Sequence, residues 1–224
     1  MVKNSYQRRN VSEVILAIII PTFQRADKLE RAAKNAHENT TVNHNVYFVV
    51  EPHDWPSYNE VKRICEHVII SSYPGNHTGA ANTAYLETFE PFFILANDDF
   101  NFHPGWDTLA LEKMTEGIGV VGVNDGMNNY TPITLVRRSY IEEFSGSPDT
   151  KNTLYYPGYN HNYVDTEFSE VAKKRGAFVE CPESIVEHMH YTFNKSPMDK
   201  TYEKSKATAN ADQLTYESRR HLWA

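Results

Sequence analysis

Residues 92–106 read FFILANDDFNFHPGW, an apolar run that empties into Asn97-Asp98-Asp99, with Pro104-Gly105 a few residues on. Carboxylates at the end of such a run stand at the carboxyl end of a strand, where open α/β sheets bind their ligands. Adjacent carboxylates also repel each other unless positive charge lies beside them. A divalent cation is the simplest partner, and a cation held there commonly serves a phosphorylated substrate. The plain alternative is a polar strand-end turn, which Asn and Asp also favour.

Outward from this stretch, VILAIII (14–20), VYFVV (46–50), HVII (67–70) and IGVVGV (118–123) have the length and β-branched character of buried strands. Between them lie predicted helices. One is capped by Asp27 and carries Leu29, Ala32, Ala33 and Ala36 at helical spacing. Others span 57–66, about 80–89 after the loop SSYPGNHTG (71–79), and 105–116. Strands alternating with short helices imply βαβ units, and near-continuous apolar strands imply a sheet covered on both faces. The expected fold is α/β: a Rossmann-like single domain with a mostly parallel central sheet flanked by helices.

The second half is less regular. Expected there are a strand at 133–138, a loop at 145–152, an aromatic turn-rich stretch YYPGYNHNY (155–163), and a helix at 164–175 turning Phe168, Val171 and Ala172 inward until Gly176 ends it. Two short strands (177–181, 184–188) and a polar helical tail (199–223) follow, and the first ten residues read as a loose polar arm. The organisation predicted is one domain over 1–224, with a first half at about 11–125, a second at about 126–190 and a tail at about 191–224.

Composition limits the function classes. At 224 residues, 40% hydrophobic and 23% charged, the chain has the make-up of an ordinary globular protein. No apolar run is long enough to cross a membrane, so a cytoplasmic protein without a membrane span is expected. Cys65 and Cys181 lie far apart, which suggests neither a disulfide framework nor a zinc site, and both read as buried thiols. A net charge of −7 disfavours non-specific binding to nucleic acid. Arg137, Arg138, Lys173, Lys174, Arg175, Arg219 and Arg220 are the side chains available to a polyanion, though their default place is solvated surface.

Further chemistry-bearing groups stand out. Asp165, in Val164-Asp165-Thr166-Glu167-Phe168, reads as a helix N-cap or as a general base for a hydroxyl. His188 and His190 are expected to diverge onto opposite faces of a strand, so that at most one meets a metal, where imidazole joins carboxylates around an ion such as Mn²⁺. The loop from Pro74 to Gly79 leads into a helix N-terminus, which favours anions but lacks the Walker ending. His161 and its neighbouring tyrosines form either a stacking surface for a sugar or base or a packed aromatic loop.

Taken in order, these pieces resemble the family-two, GT-A-fold inverting glycosyltransferases over roughly residues 14–190, in the manner of compact bacterial or phage members. IIIPTFQRADKLERAAKNA is similar to that family's opening strand, Pro-Thr turn and helix. Glu51 stands where the family places an acidic residue against the nucleobase, and Gly79-Ala80-Ala81-Asn82 looks like its helix start beneath the nucleotide. FILANDDFNFHPGW matches its L-N-x-D…P-G form of the DxD motif, VDTEFSEVAKKRG its E-D-x-D-L…R…G segment, and Cys181 to His188 its P-x-x-x-V-x-H pattern. Asn97 replaces the first Asp of the DxD motif, and Val164 stands where the family has Glu.

The resemblance implies a GT-A fold, a nucleotide-sugar-binding first half and an acceptor-side second half. It assigns donor contacts to Pro21, Thr22, Arg25 and Glu51, to Gly79 and Asn82, and to Asn97 and Asp98. Asp99 and His188 would hold Mn²⁺ or Mg²⁺, and Asp165 would be the catalytic base. The activity implied is a metal-dependent, inverting hexosyl transfer from a nucleoside-diphosphate-sugar, UDP-sugar favoured, to a hydroxyl. The acceptor would be a saccharide, a protein or a modified DNA base, the first two favoured over DNA. The competing readings are an inactive nucleotide- or glycan-binding protein of the same fold and a sugar-1-phosphate nucleotidyltransferase. The latter would open with a Gly-rich loop where this chain has Pro21-Thr22-Phe23-Gln24-Arg25.

Overall fold

Strand β1 (Leu16–Thr22) explains the architecture by its alternation. Leu16, Ile18 and Ile20 enter one apolar core while Ala17 and Ile19 enter another on the opposite face. A strand buried on both faces needs helices on both sides, which makes three layers. The structure, a computed structural model, describes residues 15–127 and 132–224. The polar arm expected at 1–10 and Val14 of the first predicted strand lie outside the described residues.

The first core takes Leu29, Ala32, Ala33 and Ala36 of α1 (Ala26–Asn39), Val61 of α2 (Trp55–Arg63) and Trp106 and Ala110 of α4 (Trp106–Glu112). The second takes Ala80, Ala81 and Ala84 of α3 (His77–Glu87), Tyr140 and Ile141 of α5 (Arg138–Phe144), and Val164, Phe168 and Ala172 of α6 (Val164–Lys174). Trp106 is fully buried, and its indole N–H is satisfied by Thr40 Oγ1 at 3.1 Å. Before α4, Gly105 sits at φ +82°, a left-handed turn that a residue with a side chain adopts only under strain.

The remaining strands are β2 (His44–Val50), β3 (His67–Ile70), β4 (Phe92–Leu95), β5 (Phe100–Phe102), β6 (Val120–Asn124), β7 (Ile133–Arg137) and β8 (Phe178–His188). The eight run in the order β3-β2-β1-β4-β7-β6-β8-β5. Pairings among β1 to β4 are parallel, as is β6 with β8, whereas β7 is antiparallel to both neighbours and β5 is antiparallel to β8. The parallel half therefore gathers the carboxyl ends of β1, β2 and β4 on one edge.

Several local expectations are corrected. Arg25, not Asp27, occupies the N-cap of α1, and Asp27 lies in its first turn. Helix α3 begins at His77 because Asn76 caps it, its side chain accepting from the Gly79 N–H at 2.9 Å. The two short strands at 177–181 and 184–188 are one strand, β8, irregular where it passes Val123 and Asn124. Strand β5 and helix α5 were not foreseen. Cys65 is exposed, at φ +62°, and only Cys181 is buried. The tail forms α7 (Lys200–Arg219), and it is not merely surface, since Tyr202, Asp212 and Arg219 are buried. None of the described helices is long and apolar enough to cross a membrane.

Candidate functional site

The carboxyl ends of β1, β2 and β4 bring Thr22, Glu51 and the Asn97-Asp98-Asp99 turn to one cavity. Strand β5 then turns back and pairs with the end of β8, Phe100 opposite His188, and the Met189 N–H bonds the Asp99 carbonyl at 2.9 Å. Three residues of strand thus bring together side chains 89 positions apart in sequence, because His188 Nε2 stands 3.4 Å from Asp99 Oδ1.

The adjacent carboxylates have a protein counter-charge. Arg25 is buried and donates from Nη1 to Asp98 Oδ1 at 2.6 Å and to Asp99 Oδ2 at 3.4 Å. Asp98 also accepts from Thr22 Oγ1 at 2.8 Å. Burial dominates at Asp98 and pushes its carboxyl up despite Arg25, with the charge of Asp99 adding to the rise. Burial opposes ionisation of Asp99 too, but His188, Tyr202 and Arg25 outweigh it and hold that carboxyl well below the usual range. The two neighbouring acids are driven in opposite directions.

One atom of Asp99 remains unspent. Its Oδ2 accepts from the Tyr202 hydroxyl at 2.6 Å, whereas its buried Oδ1 makes no well-formed hydrogen bond and has the His188 ring nitrogen 3.4 Å away as an ion-pair contact. Buried polar atoms without partners are rare and call for a ligand or water. An oxygen and a ring nitrogen 3.4 Å apart are spaced like neighbouring ligands of one octahedral ion, which lie about 3 Å apart when each bond is about 2.1 Å. Among the described residues no group of three or more His, Cys, Asp or Glu forms a metal cage. The donor set therefore fits a cation whose other positions go to water and phosphate, the usual arrangement for Mg²⁺-like ions.

Helix α7, expected as a polar helical tail but given no part in the site, forms one wall of this cavity. Asp199 caps it and grips Arg25 Nε and Nη2 at 2.9 and 3.0 Å, and Tyr202 lies under the Arg25 guanidinium at 4.3 Å. Lys204 Nζ sits 3.7 Å over the Phe23 ring and 3.5 Å from Glu51 Oε1. An Asp before a polar helix signals a cap, but nothing local signals an arginine 174 residues away.

Asp165 borders a second cavity, larger than the first at about 250 against 110 Å³. Tyr163 is the N-cap of α6, so Asp165 belongs to its first turn and the N-cap reading is corrected. Asp165 Oδ1 accepts from the Thr166 N–H at 2.8 Å, and burial pushes the carboxyl up. His77, Asn97, His161, His188, His190 and Ser205 border both cavities, which are therefore neighbours across a shared wall.

His188 and His190 do not diverge. The strand ends at His188, and the two rings lie 4.8 Å apart against the same cavities, since residues two apart on an extended chain share a face. Pro21, Thr22, Arg25, Glu51, Asn97, Asp98, Asp99 and His188 all border the first cavity. Gly79 and Asn82 do not. A Cβ on Gly79 would lie 2.3 Å from Tyr73 Cβ, so this glycine admits a side chain of the preceding loop. Asn82 is a buried clamp, its Oδ1 accepting from the Leu154 and Tyr155 N–H groups and its Nδ2 donating to the Tyr155 carbonyl. Of the basic side chains considered for a polyanion, Arg138 and Arg219 are buried and paired internally, and Arg175 donates to Tyr140 and to the Ser145 carbonyl.

No protein-family model matches the sequence, and no curated protein matches it. Solved structures do match the fold. The chain superposes on a mannosyltransferase from Pyrobaculum calidifontis, solved with GDP-mannose and Mn²⁺, with a TM-score of 0.60 at 12% identity over 77% of this chain. It spans 56% of that enzyme. Glucosyl-3-phosphoglycerate synthase from Mycobacterium tuberculosis, solved with Mn²⁺, UDP and phosphoglyceric acid, matches with a TM-score of 0.65 at 10% identity over 93% of this chain and 79% of the synthase. The fold is that of the GT-A glycosyltransferases.

Proposed function

We propose that this chain is a metal-dependent glycosyltransferase that moves a hexosyl group, with inversion, from a nucleoside-diphosphate-sugar to a hydroxyl acceptor. The observation that carries this reading is the buried Asp99 Oδ1, which makes no well-formed hydrogen bond and faces His188 Nε2 at 3.4 Å, one wall away from Asp165. The GDP-mannose, UDP and Mn²⁺ in the matched structures belong to the same ligand class and support it. UDP-sugar is the favoured donor, and a saccharide or protein hydroxyl is favoured over DNA by the net charge of −7. Residues from about 11 to 125 would serve the donor and those from about 126 to 190 the acceptor, with α7 added to the donor side.

Asp99 and His188 would hold Mn²⁺ or Mg²⁺, which supplies neutralising charge to a departing diphosphate. Arg25 keeps Asp98 and Asp99 in place and is itself held by Asp199. Thr22 fixes the other Asp98 oxygen. Asp165 accepts the proton of the attacking hydroxyl as the acceptor oxygen bonds to the anomeric carbon and the bond from that carbon to the phosphate oxygen breaks. Its elevated carboxyl makes it a better base than an ordinary aspartate.

The direct test is release of nucleoside diphosphate from UDP- and GDP-hexoses, with Mn²⁺ and with chelator. Release with Mn²⁺ that chelator abolishes is the expected result. Ligand binding with no release from any donor would favour the inactive binding protein.

A further inference from the structure

The wall shared by the two cavities has its own chemistry. If the diphosphate lies against Asp99 and His188 and the acceptor hydroxyl at Asp165, the transferred sugar occupies the space between them, because the reacting atoms must be in line and in contact. The residues bordering both cavities are therefore its neighbours. Among them, His188 faces Asp99, His190 Nδ1 is paired with Thr192 Oγ1 at 2.8 Å, and Ser205 Oγ donates to Asn162 Oδ1 at 3.3 Å.

Asn97 is already assigned to the donor, which leaves His77 and His161. Their rings pack at 4.5 Å between centroids, and neither ring makes a hydrogen bond to any described residue. Both are firmly placed. His77 opens α3, where the next N–H bonds the Asn160 carbonyl at 3.2 Å, and the His161 N–H donates to Asp212 Oδ2 at 3.0 Å. Both residues are half-buried, and two rings fixed by their backbones with nitrogens open to a cavity can serve a ligand there. Burial pushes the rings down to about 3 for His77 and about 4 for His161, so both are neutral at physiological pH. A neutral imidazole offers one donor and one acceptor, matching a sugar hydroxyl, which does both.

Resting on the transferase reading, we infer that His77 and His161 are the specificity-determining pair for the transferred sugar, binding its hydroxyls and selecting an uncharged hexosyl group over an anionic uronosyl group. Among the described residues no lysine or arginine borders both cavities, whereas Asp99 and Asp165 lie on either side of the shared wall. A sugar carboxylate placed there would face two acids, while Lys204, whose charge reaches both rings, lines only the first cavity and is already paired with Glu51 Oε1 at 3.5 Å.

The experiment is calorimetric titration in the presence of Mn²⁺, without acceptor, comparing each nucleoside diphosphate with its hexose ester. UDP, UDP-glucose, UDP-galactose, UDP-glucuronate, GDP and GDP-mannose are used on the wild type, His77→Phe and His161→Phe. Melting curves confirm that each variant is folded, and His77→Gln and His161→Gln, which keep a donor and an acceptor, serve as rescue variants. Each Phe variant is expected to keep its affinity for the diphosphate within about twofold and to lose roughly tenfold for the best nucleotide-hexose, the scale of one hydrogen bond to a ligand. Wild-type affinity for UDP-glucuronate is expected to fall below that for UDP-glucose. Equal losses for diphosphate and sugar ester, no loss for either, or tight binding of the glucuronate overturns the assignment. A wild type that binds no nucleoside diphosphate at all instead overturns the transferase reading on which the assignment rests.

Discussion

Asp98, Asp99 and Asp165 are chemically identical side chains given three different states by their surroundings. Asp99 is held ionised, Asp98 is tied down by Arg25 and Thr22, and Asp165 is pushed up by burial. A base must be ionised to act, so the acidic limb of the pH–rate profile should lie above the ordinary carboxylate value and track Asp165. Asp165→Asn should keep nucleotide-sugar binding and lose at least ~10²-fold in kcat, the scale of a general base. The same shift has a stability consequence. A carboxyl raised in the folded state contributes stability that is present below its unfolded pKa and lost as pH rises through the folded pKa. Once ionised, Asp165 is therefore a liability, and Asp165→Asn should melt no lower than the wild type. A variant that melts markedly lower would mark Asp165 as a structural residue.

At the scale of elements, the site depends on how strands end and helices begin. The start of α3 is the instructive case, because its GAAN resemblance pointed to the nucleotide while the structure turns Gly79 toward Tyr73 and Asn82 toward the 154–155 backbone. Gly79→Ala should therefore cost about 1–3 kcal/mol by overpacking, read as a lower denaturant midpoint, with nucleotide affinity of the folded protein unchanged. Selective loss of nucleotide affinity at full stability would restore the original assignment. The strands β1 to β4 were legible because a parallel sheet demands continuous apolar runs, and α1 because its alanines recur at helical spacing. Strand β5 was not legible: FNF is too short to show a period, and it exists because β8 offers an edge. The convergence of Asp99 and His188 came from an ordered set of motifs, whereas the pairing that accomplishes it came from tertiary structure. Tyr202, Asp199 and His77 were hidden because their roles lie in contacts between distant segments, whereas His161 stood out in its aromatic stretch but without its partner His77.

Across the whole molecule, α7 ties the two cavities together. Its start holds Arg25 and Asp99 through Asp199 and Tyr202, and its middle receives the Asn160, His161 and Asn162 N–H groups on Asp212 at 2.8 to 3.0 Å. Its end places Arg219 on Glu167 of α6, beside Asp165 in sequence. Burial opposes ionisation of Asp212, but the N–H groups prevail and lower its carboxyl, so its contribution is present above the unfolded pKa and lost as pH falls through the folded one. Asp212→Asn should destabilise the protein by about 1–3 kcal/mol at neutral pH, the range for leaving buried donors unsatisfied, and by less in acid. An equal loss at every pH would show that the charge of Asp212 is not what holds the loop. The central claim is that Asp99 and His188 hold a cation for a nucleoside diphosphate, and it is tested most directly by melting temperature in a panel of nucleoside diphosphates with and without Mn²⁺, on the wild type and on Asp99→Asn. A ligand that binds only the native state raises the melting temperature by mass action. The account predicts a rise with one diphosphate that requires Mn²⁺ and vanishes in Asp99→Asn; a rise that survives chelator, or that persists undiminished in the variant, would contradict it.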